Sequence, residues 1–565
     1  MKIELDTDID PRTAEAISTA LAQHLGRTIE LGLPSGETVS PAGEEVWEAG
    51  EDVYTDRERR LREDIEKIKE GGPPEGHAKI EEIGKLFVRE RLELVFDEVE
   101  YEDGTFANWD ADERLPADGL IAGVGRIHGR KVFFTAHDYT VKAGSLGEIA
   151  TEKMVRISER AADARAPMLR LIDSTGARIS GTWTGENTTH ANRYTGGRMF
   201  YNQCIHSGQY PQIGVLYGPC IAGSAYEPIF CDFLVMVEEI SGMAIASPRI
   251  IEEVIGEDID MADLGGPEVH ATKTGSTDFV VPDERAAAEK VRSLIEYLPQ
   301  DYQSPLPTKD PKQPAKNPNA LDQVIPEGEK AYDMHDVIDH LVDRGSFLEL
   351  KPSFGRELIT GFARFDGDVV GVIANQPEVN AGAIYPDSAE KAAGFIWKCD
   401  AYDIPLLYLV DTPGFMVGSR VEHDGILQKG KRFLYATSSA EVPTIAVILR
   451  KSYAAGTYAM ASPAFEPDVT LALPSAMFAL LGPEAATNAL FADEIAEIDD
   501  PEERAAYVEE KRAEFETDIR KQASTMQVDE LLPAGDLREQ LVRRFETLEN
   551  KRREGFDRRH GTMLF

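Results

Sequence analysis

The chain has 565 residues, enough for two large cores with extensions, and sets 60 Lys+Arg against 100 Asp+Glu for a net charge of -40. At an ordinary hydrophobic content of 42% this balance describes a folded protein with an acidic surface; it excludes a disordered chain and argues against nucleic acid, whose phosphates need clustered positive charge. Four cysteines without CxxC spacing exclude a disulfide framework and indicate no metal site, and no apolar run reaches membrane-spanning length, so a soluble cytoplasmic protein is expected. A salt-rich cytoplasm would screen the self-repulsion; an ordinary acidic protein is the alternative.

Residues 1–70 read as an appendage of unknown role, with strands at Met1–Leu5 and Arg27–Leu33, an amphipathic helix at Pro11–Leu25, and a charged, solvated helix within Glu44–Gly71. A first domain spans 71–305. It opens with a helix-and-turn entry, followed by a strand pair at Ile121–Ile127 and Lys131–Ala136, a helix at Leu146–Ala164 and a strand at Met168–Asp173. A Gly/Ser/Thr-rich loop, Ser174–Gly197, leads to a helix at Arg198–His206 and a strand at Ile213–Tyr217. Alternating strands and helices imply an α/β domain with a largely parallel sheet. Residues 306–330 fall in a Pro- and Lys-rich linker without periodicity, and a second domain, 331–565, repeats the order of elements and ends in a charged helical tail.

The repetition is written in the residues. At a constant offset of 238, Gly123, Arg126, Gly129 and Val132 fall on Gly361, Arg364, Gly367 and Val370. Ala143-Gly144 falls on Ala381-Gly382, Glu152-Lys153 on Glu390-Lys391, Pro167 on Pro405 and Asp173 on Asp411, without a gap from Gly123 to Gly176. Such agreement means two copies of one domain, with a site expected between them.

A side-chain catalyst is not apparent. There is no GxSxG, HExxH, Walker or GxGxxG motif, and His128, His137, His190, His206 and His270 are scattered. What recurs is a turn of small residues after an apolar strand: Ala222-Gly223-Ser224-Ala225-Tyr226 in the first copy and Ala454-Ala455-Gly456-Thr457-Tyr458 in the second. Small side chains admit a ligand to the backbone, and N–H groups at a helix start are donors for an enolate. Close packing is the alternative for either turn alone; the pair implies two oxyanions. Asp173 and Asp411 end equivalent strands beside Ser174–Gly176 and Thr412–Gly414, as positioners of those loops or as simple Asx turns. Lys142 and Arg178 are candidates for coenzyme A phosphates or plain surface charges.

The stretches "SGQYPQIGVLYGPCIAGSAYEP", "DSTGARI", "ANQPEV", "DTPGFMVG" and "KSYAAGTYAM", with "GKLFVRERLELVFD" and "NKRREGFDRRHG", closely resemble the carboxyltransferase (beta) subunit of biotin-dependent acyl-CoA carboxylases of the propionyl-CoA and methylcrotonyl-CoA type. The resemblance runs from about Gly71 to Phe565. It implies tandem crotonase-like (ClpP/crotonase) α/β domains built of ββα units, a coenzyme A thioester as substrate, and biotin carried on a partner biotin carboxylase or carrier subunit. It also implies a hexamer built as a trimer of dimers, and no membrane or nucleic-acid partner. By the same resemblance, Ala222 and Gly223 hold the thioester enolate, with Gly176, Ala177, Arg178 and Tyr458 about the substrate. Ala455 and Gly456, with Gly414 and Phe415, hold biotin. The sodium-pump decarboxylase alpha subunit shares these features and is the alternative function; a biotin-independent hydratase would need an acid at the first turn, where only Glu227 stands.

Overall fold

The computed structural model describes residues 2–5, 7, 9–25, 29–36, 38–39, 54–111, 113–178, 196–328 and 330–551. His190, most of the loop expected at 174–197, and the closing motif beyond 551 lie outside the described residues. Residues 1–67 and 68–565 form two compact units. In the first, strand Lys2–Glu4 pairs parallel with Glu30–Gly32 through helix Pro11–Leu25, and Thr38–Val39 adds an antiparallel edge. Ala14, Ile29, Leu31 and Leu33 make its core, and buried Ser18 donates its hydroxyl to the Ile29 carbonyl.

Among the described residues the second unit holds two large sheets, one for each copy, and a two-stranded ladder of 219–221 with 242–244. The first runs in the order 279–281, 233–237, 212–216, 168–172, 130–137, 120–127, 98–103, and the second 348–350, 358–365, 368–375, 406–412, 444–453, 469–472, 530–531, with only the first or last hairpin strands antiparallel. The offset of 238 survives into the hydrogen-bond register. Leu120 to Ile127 pairs with His137 to Arg130, and Leu358 to Phe365 with Asn375 to Asp368. Each hairpin turns on two residues with positive φ, His128 (51°) and Gly129 (72°) or Asp366 (54°) and Gly367 (92°), as a tight turn between right-twisted strands requires. His128 is thereby a turn residue. Helices Glu148–Ala164 and Pro386–Ala401 cross back over their sheets, and a left-handed residue turns the chain after each, Arg165 directly at the first and Asp403 one residue beyond Tyr402 at the second.

One apolar core joins the two halves: Phe362 of the second half packs on Phe233 and Tyr297 of the first at 5.9 Å between centroids. The linker is a strap rather than a free tether. Arg364 grips the carbonyls of Glu296 (2.6 Å) and Pro307 (2.8 Å), and Arg450 those of Gly328 (2.9 Å) and Lys330 (2.8 Å). The tail carries more than helices, because Glu530–Leu531 extends the second sheet beside Val469–Ala472.

Beside the strap, Asp333 caps helix Met334–Leu341, and His335 lies between Asp333 (Nδ1 to Oδ1, 2.7 Å) and Glu349 (Nε2 to Oε2, 2.9 Å), with Gln376 and the Phe347 ring alongside. The hydrogen bond to Glu349, helped by Asp333, raises the His335 pKa to about 9. A raised pKa means the folded state holds the proton more tightly. Its stabilisation is therefore complete below the ordinary histidine value and fades as pH rises through about 9. Thermal melts of the wild type are expected to fall between pH 7 and 9.5, and those of His335→Gln to be flatter over that window; parallel curves would refute the clamp.

Candidate active site

In each copy the strand after the crossover helix, 168–172 or 406–412, ends in a short loop laid against the small-residue turn. In the first copy Gly176 (φ 98°) is so close to the turn that a Cβ there would lie 3.1 Å from the Ile221 carbonyl oxygen and 3.6 Å from the Ser224 hydroxyl. In the second, Gly414 (φ 115°) stands in the same relation to Tyr453 (3.3 Å) and Ala454 (3.2 Å). The backbone around both loops is the same. Leu146 N–H donates to the Gly176 carbonyl and Arg178 N–H to the Leu146 carbonyl, as Ile384 does to Gly414 and Met416 to Ile384, all within 2.8–2.9 Å. The Gly176 N–H is closed by the Ser174 hydroxyl (3.2 Å) and that of Gly414 by Thr412 (3.1 Å).

This pattern consumes every other amide. Among the described residues no acceptor meets the N–H groups of Ala177 in the first loop, or of Phe415, Ala455 and Gly456 in the second copy. Ala177, Ala222, Gly223 and Ala455 are exposed, and nothing stands within 4 Å of a Cβ built on Gly223. Each copy thus presents unsatisfied donors from two touching loops at a water-facing mouth, ready to bind an oxyanion without reorganisation. Superposed by offset 232, Ala222-Gly223 falls on Ala454-Ala455. Ala222 (φ 62°) and Ala454 (φ 49°) share the left-handed backbone, a strain for alanine that the turn sustains. The pair Ala455-Gly456 therefore sits one residue further along its turn than Ala222-Gly223.

The remaining candidates are placed as follows. Gly456 is buried and Tyr458 is exposed, its ring stacked on Phe465 at 5.7 Å. Phe415 packs its ring where a side chain on Gly430 would go. Arg178 does not reach toward open solvent as a phosphate ligand would: its guanidinium is spent on Asp118 (2.5 Å) and the Ser145 carbonyl (2.8 Å). Lys142 is exposed and pairs with Glu113 at 2.5 Å. Asp173 and Asp411 are more than Asx turns: both are fully buried ion-pair nodes, Asp173 with Lys85 (2.7 Å) and Arg91 (2.8 Å), Asp411 with Arg450 (3.0 Å) and the Tyr332 hydroxyl (2.8 Å). The sequence singles out the loops that begin at Ser174 and Thr412 but not the role of their hydroxyls in closing the Gly176 and Gly414 N–H groups, and nothing in it points to Asp118.

Of the acid and histidines singled out in the sequence, those within the described residues are held elsewhere by partners of their own. Glu227, the hydratase candidate, is fully buried and faces Arg170 at 3.4 Å. His137 is buried, with burial pushing its pKa down, and its Nδ1–H donates to the Leu171 carbonyl. His206 and His270 are bonded to Tyr210 and to Met243 and Thr274.

Two crotonase folds in tandem, each offering backbone donors at a water-facing mouth among the described residues, are arranged to stabilise oxyanions. The comparisons narrow this. Residues 79–563 match the model of the carboxyl transferase domain. The carboxyltransferase subunit of propionyl-CoA carboxylase from Haloferax mediterranei is 37% identical over 90% of this chain and 99% of its own. The methylmalonyl-CoA decarboxylase subunit alpha of Propionigenium modestum is 36% identical over 89% and 98%. Among solved structures, transcarboxylase 12S, described as a hexamer in a multienzyme core with methylmalonyl-CoA bound, superposes with a TM-score of 0.82 at 35% identity, covering 90% of this chain and 98% of that one. The chain belongs to the carboxyl transferase family: it is a biotin-dependent carboxyltransferase acting on acyl-CoA. No described helix is long and apolar enough to cross a membrane.

Proposed function

We propose that this chain is the carboxyltransferase component of an acyl-CoA carboxylase, taking the carboxyl group from biotin on a partner subunit to a short-chain acyl-CoA. The carrying observation is the pair of equivalent mouths lined by unsatisfied N–H groups, with none of the candidate acids or histidines free at either among the described residues. The first mouth, with Ala177, Ala222 and Gly223, takes the thioester and holds its enolate oxygen. The second, with Phe415, Ala455 and Gly456, takes the ureido oxygen of biotin. Biotin, when bound, supplies the carboxyl group and the nitrogen that accepts the α-proton. The chain's own part is to exclude water and hold the two oxyanions.

Of propionyl-CoA and 3-methylcrotonyl-CoA, the propionyl group is favoured, since the Haloferax relative is named for it and methylmalonyl-CoA, bound in the 12S structure, is its carboxylated form. A dimer that sets the first half of one chain against the second half of another fits the exposed apolar surface. Helix Pro248–Ile255 has no buried residue and bares Ile250, Val254 and Ile255. Its counterpart Pro483–Leu490 lies beside bare Leu480 and Leu481 and ends on bare Leu490. A biotin carrier as partner and a hexamer built on such dimers complete the reading. The decarboxylase relative supports a second one, the same transfer run backward beside a membrane partner.

The test uses the full chain in molar potassium chloride with free biotin, following decarboxylation of methylmalonyl-, malonyl- and methylglutaconyl-CoA in parallel. Biotin-dependent turnover of methylmalonyl-CoA above the other two is expected. Turnover indifferent to biotin would sink the transferase reading, and co-purification with a membrane subunit instead of a biotin carboxylase would favour the decarboxylase.

A further inference from the structure

We propose that Arg178 and Asp118 are positioning residues that aim the Ala177 amide at the thioester oxygen; this rests on the first half being the acyl-CoA side. Asp118 is fully buried and its carboxylate is shared by three groups: Arg178 Nη1 (2.5 Å) and Asn108 Nδ2 (3.0 Å) at Oδ1, and the N–H of Ala150 (2.8 Å), in the first turn of the crossover helix, at Oδ2. Arg178 adds bonds to the Asp118 carbonyl (3.2 Å), the Ser145 carbonyl (2.8 Å) and the Ser145 hydroxyl (3.3 Å). Gly147 leaves the room for this pair, because a Cβ there would lie 2.7 Å from Asp118 Oδ2 and 2.8 Å from Arg178 Nη1.

The segment that presents Asp118 is itself held under strain. Ala117 (φ 50°), Asp118 (φ 55°) and Gly119 (φ 76°) are left-handed in succession, and the Lys153 ammonium bonds the carbonyls of Ala117 (3.0 Å) and Leu120 (2.5 Å) around them. Strain of this kind persists only where its surroundings over-determine it, and it gathers at functional loops. The guanidinium stands one residue from Ala177, whose N–H is unsatisfied, so its fork fixes the orientation of that peptide.

The duplication supplies the control. In the second copy the equivalents of Asp118, Ser145, Gly147 and Arg178 are Arg356, Ala383, Tyr385 and Met416, so the clamp is absent. The loop bridge nevertheless forms there, between Ile384 and Phe415. The fold does not need the clamp to make the loop; the first mouth alone has it.

The test compares wild type, Arg178→Ala, Arg178→Lys and the neutral pair Asp118→Asn with Arg178→Gln, each as the full chain. It measures biotin-dependent decarboxylation of methylmalonyl-CoA and of methylmalonyl-pantetheine, with melting temperatures alongside. Arg178→Ala is expected to lose about 100-fold in kcat on both thioesters, the order seen for losing one oxyanion donor, with KM changed less than about threefold. Millimolar guanidinium is expected to restore part of the Arg178→Ala rate, and Arg178→Lys to keep more of it. A raised KM for the CoA thioester but not the pantetheine thioester would overturn the proposal and make Arg178 a phosphate ligand. An unchanged kcat, or a loss that follows the melting temperature and resists guanidinium, would also overturn it. A kcat loss with raised KM for biotin in place of the thioester keeps the clamp and reverses the assignment of the halves.

Discussion

Gly456→Val is expected to abolish carboxyl transfer while leaving acyl-CoA binding intact. The reason is a close approach rather than a special backbone conformation, since Gly456 is not left-handed. A Cβ at this position would lie 2.6 Å from the Gly414 Cα and 3.2 Å from the Thr412 Cγ2, so even one methyl must push the small-residue turn away from its loop. Valine adds two more carbons in the same crowded seam. The amides of Phe415 and Ala455 then separate, and each misplaced donor costs about 10²–10³ in kcat. Transfer to free biotin should fall below detection. Calorimetric titration with methylmalonyl-CoA should still give the wild-type affinity, because the first mouth is untouched. Gly223→Val makes the useful contrast: open space surrounds a Cβ there, so the variant should fold without displacement and block the mouth proposed for the acyl group. If Gly456→Val lost CoA binding while retaining biotin turnover, the assignment of the two halves would be wrong.

What was legible in the sequence was whatever the duplication wrote without a gap. Hairpins, crossover helices and the two loops follow the offset of 238 through Gly414, down to the left-handed residues at 143 and 381. Beyond Gly414 the spacing shortens to 232, as the strands beginning at Gln212 and Thr444 show, and the correspondence between Gly218 and Arg450 was lost with it. The edge strand Glu530–Leu531 is too short for any periodicity to announce. The strap at 306–330 looked like a linker because its order comes from arginines elsewhere, Arg364 and Arg450, gripping its carbonyls. Asp118 and Arg178 were illegible as a pair for a similar reason: 60 residues apart, they meet only when the sheet is built.

The lost correspondence carries the second large effect. Arg450→Met is expected to destabilise the second half by about 3 kcal/mol, the low end of the cost of breaking a buried ion pair, because the Lys451 ammonium stays 3.7 Å from Asp411. Asp411 is wholly buried and accepts from Arg450 Nε (3.0 Å), Tyr332 Oη (2.8 Å) and the Lys451 N–H (3.3 Å). Methionine fills much of the volume but removes the charge and the donors to the strap carbonyls of Gly328 and Lys330. In the first copy the residue at the place of Arg450 is Gly218, where a Cβ would lie 2.1 Å from Asp173 Oδ1. The cations come instead from the entry segment, Arg91 on helix Val88–Val95 and Lys85 just before it, with Glu284 completing the cluster at 2.6 Å from Arg91. The same aspartate node thus anchors a different segment in each half. Arg450→Met should speed amide exchange in the strap and around Tyr332, whereas Arg91→Met should do so at 85–95 and leave the strap protected. Denaturant titrations of the single variants and of Asp411→Asn with Arg450→Met complete the cycle. The double variant should recover part of the single-variant loss, because Asp411 no longer carries a buried charge and Lys451 keeps its bond to the Ala381 carbonyl (3.5 Å); a double loss equal to the sum of the singles would show that the two side chains do not depend on each other.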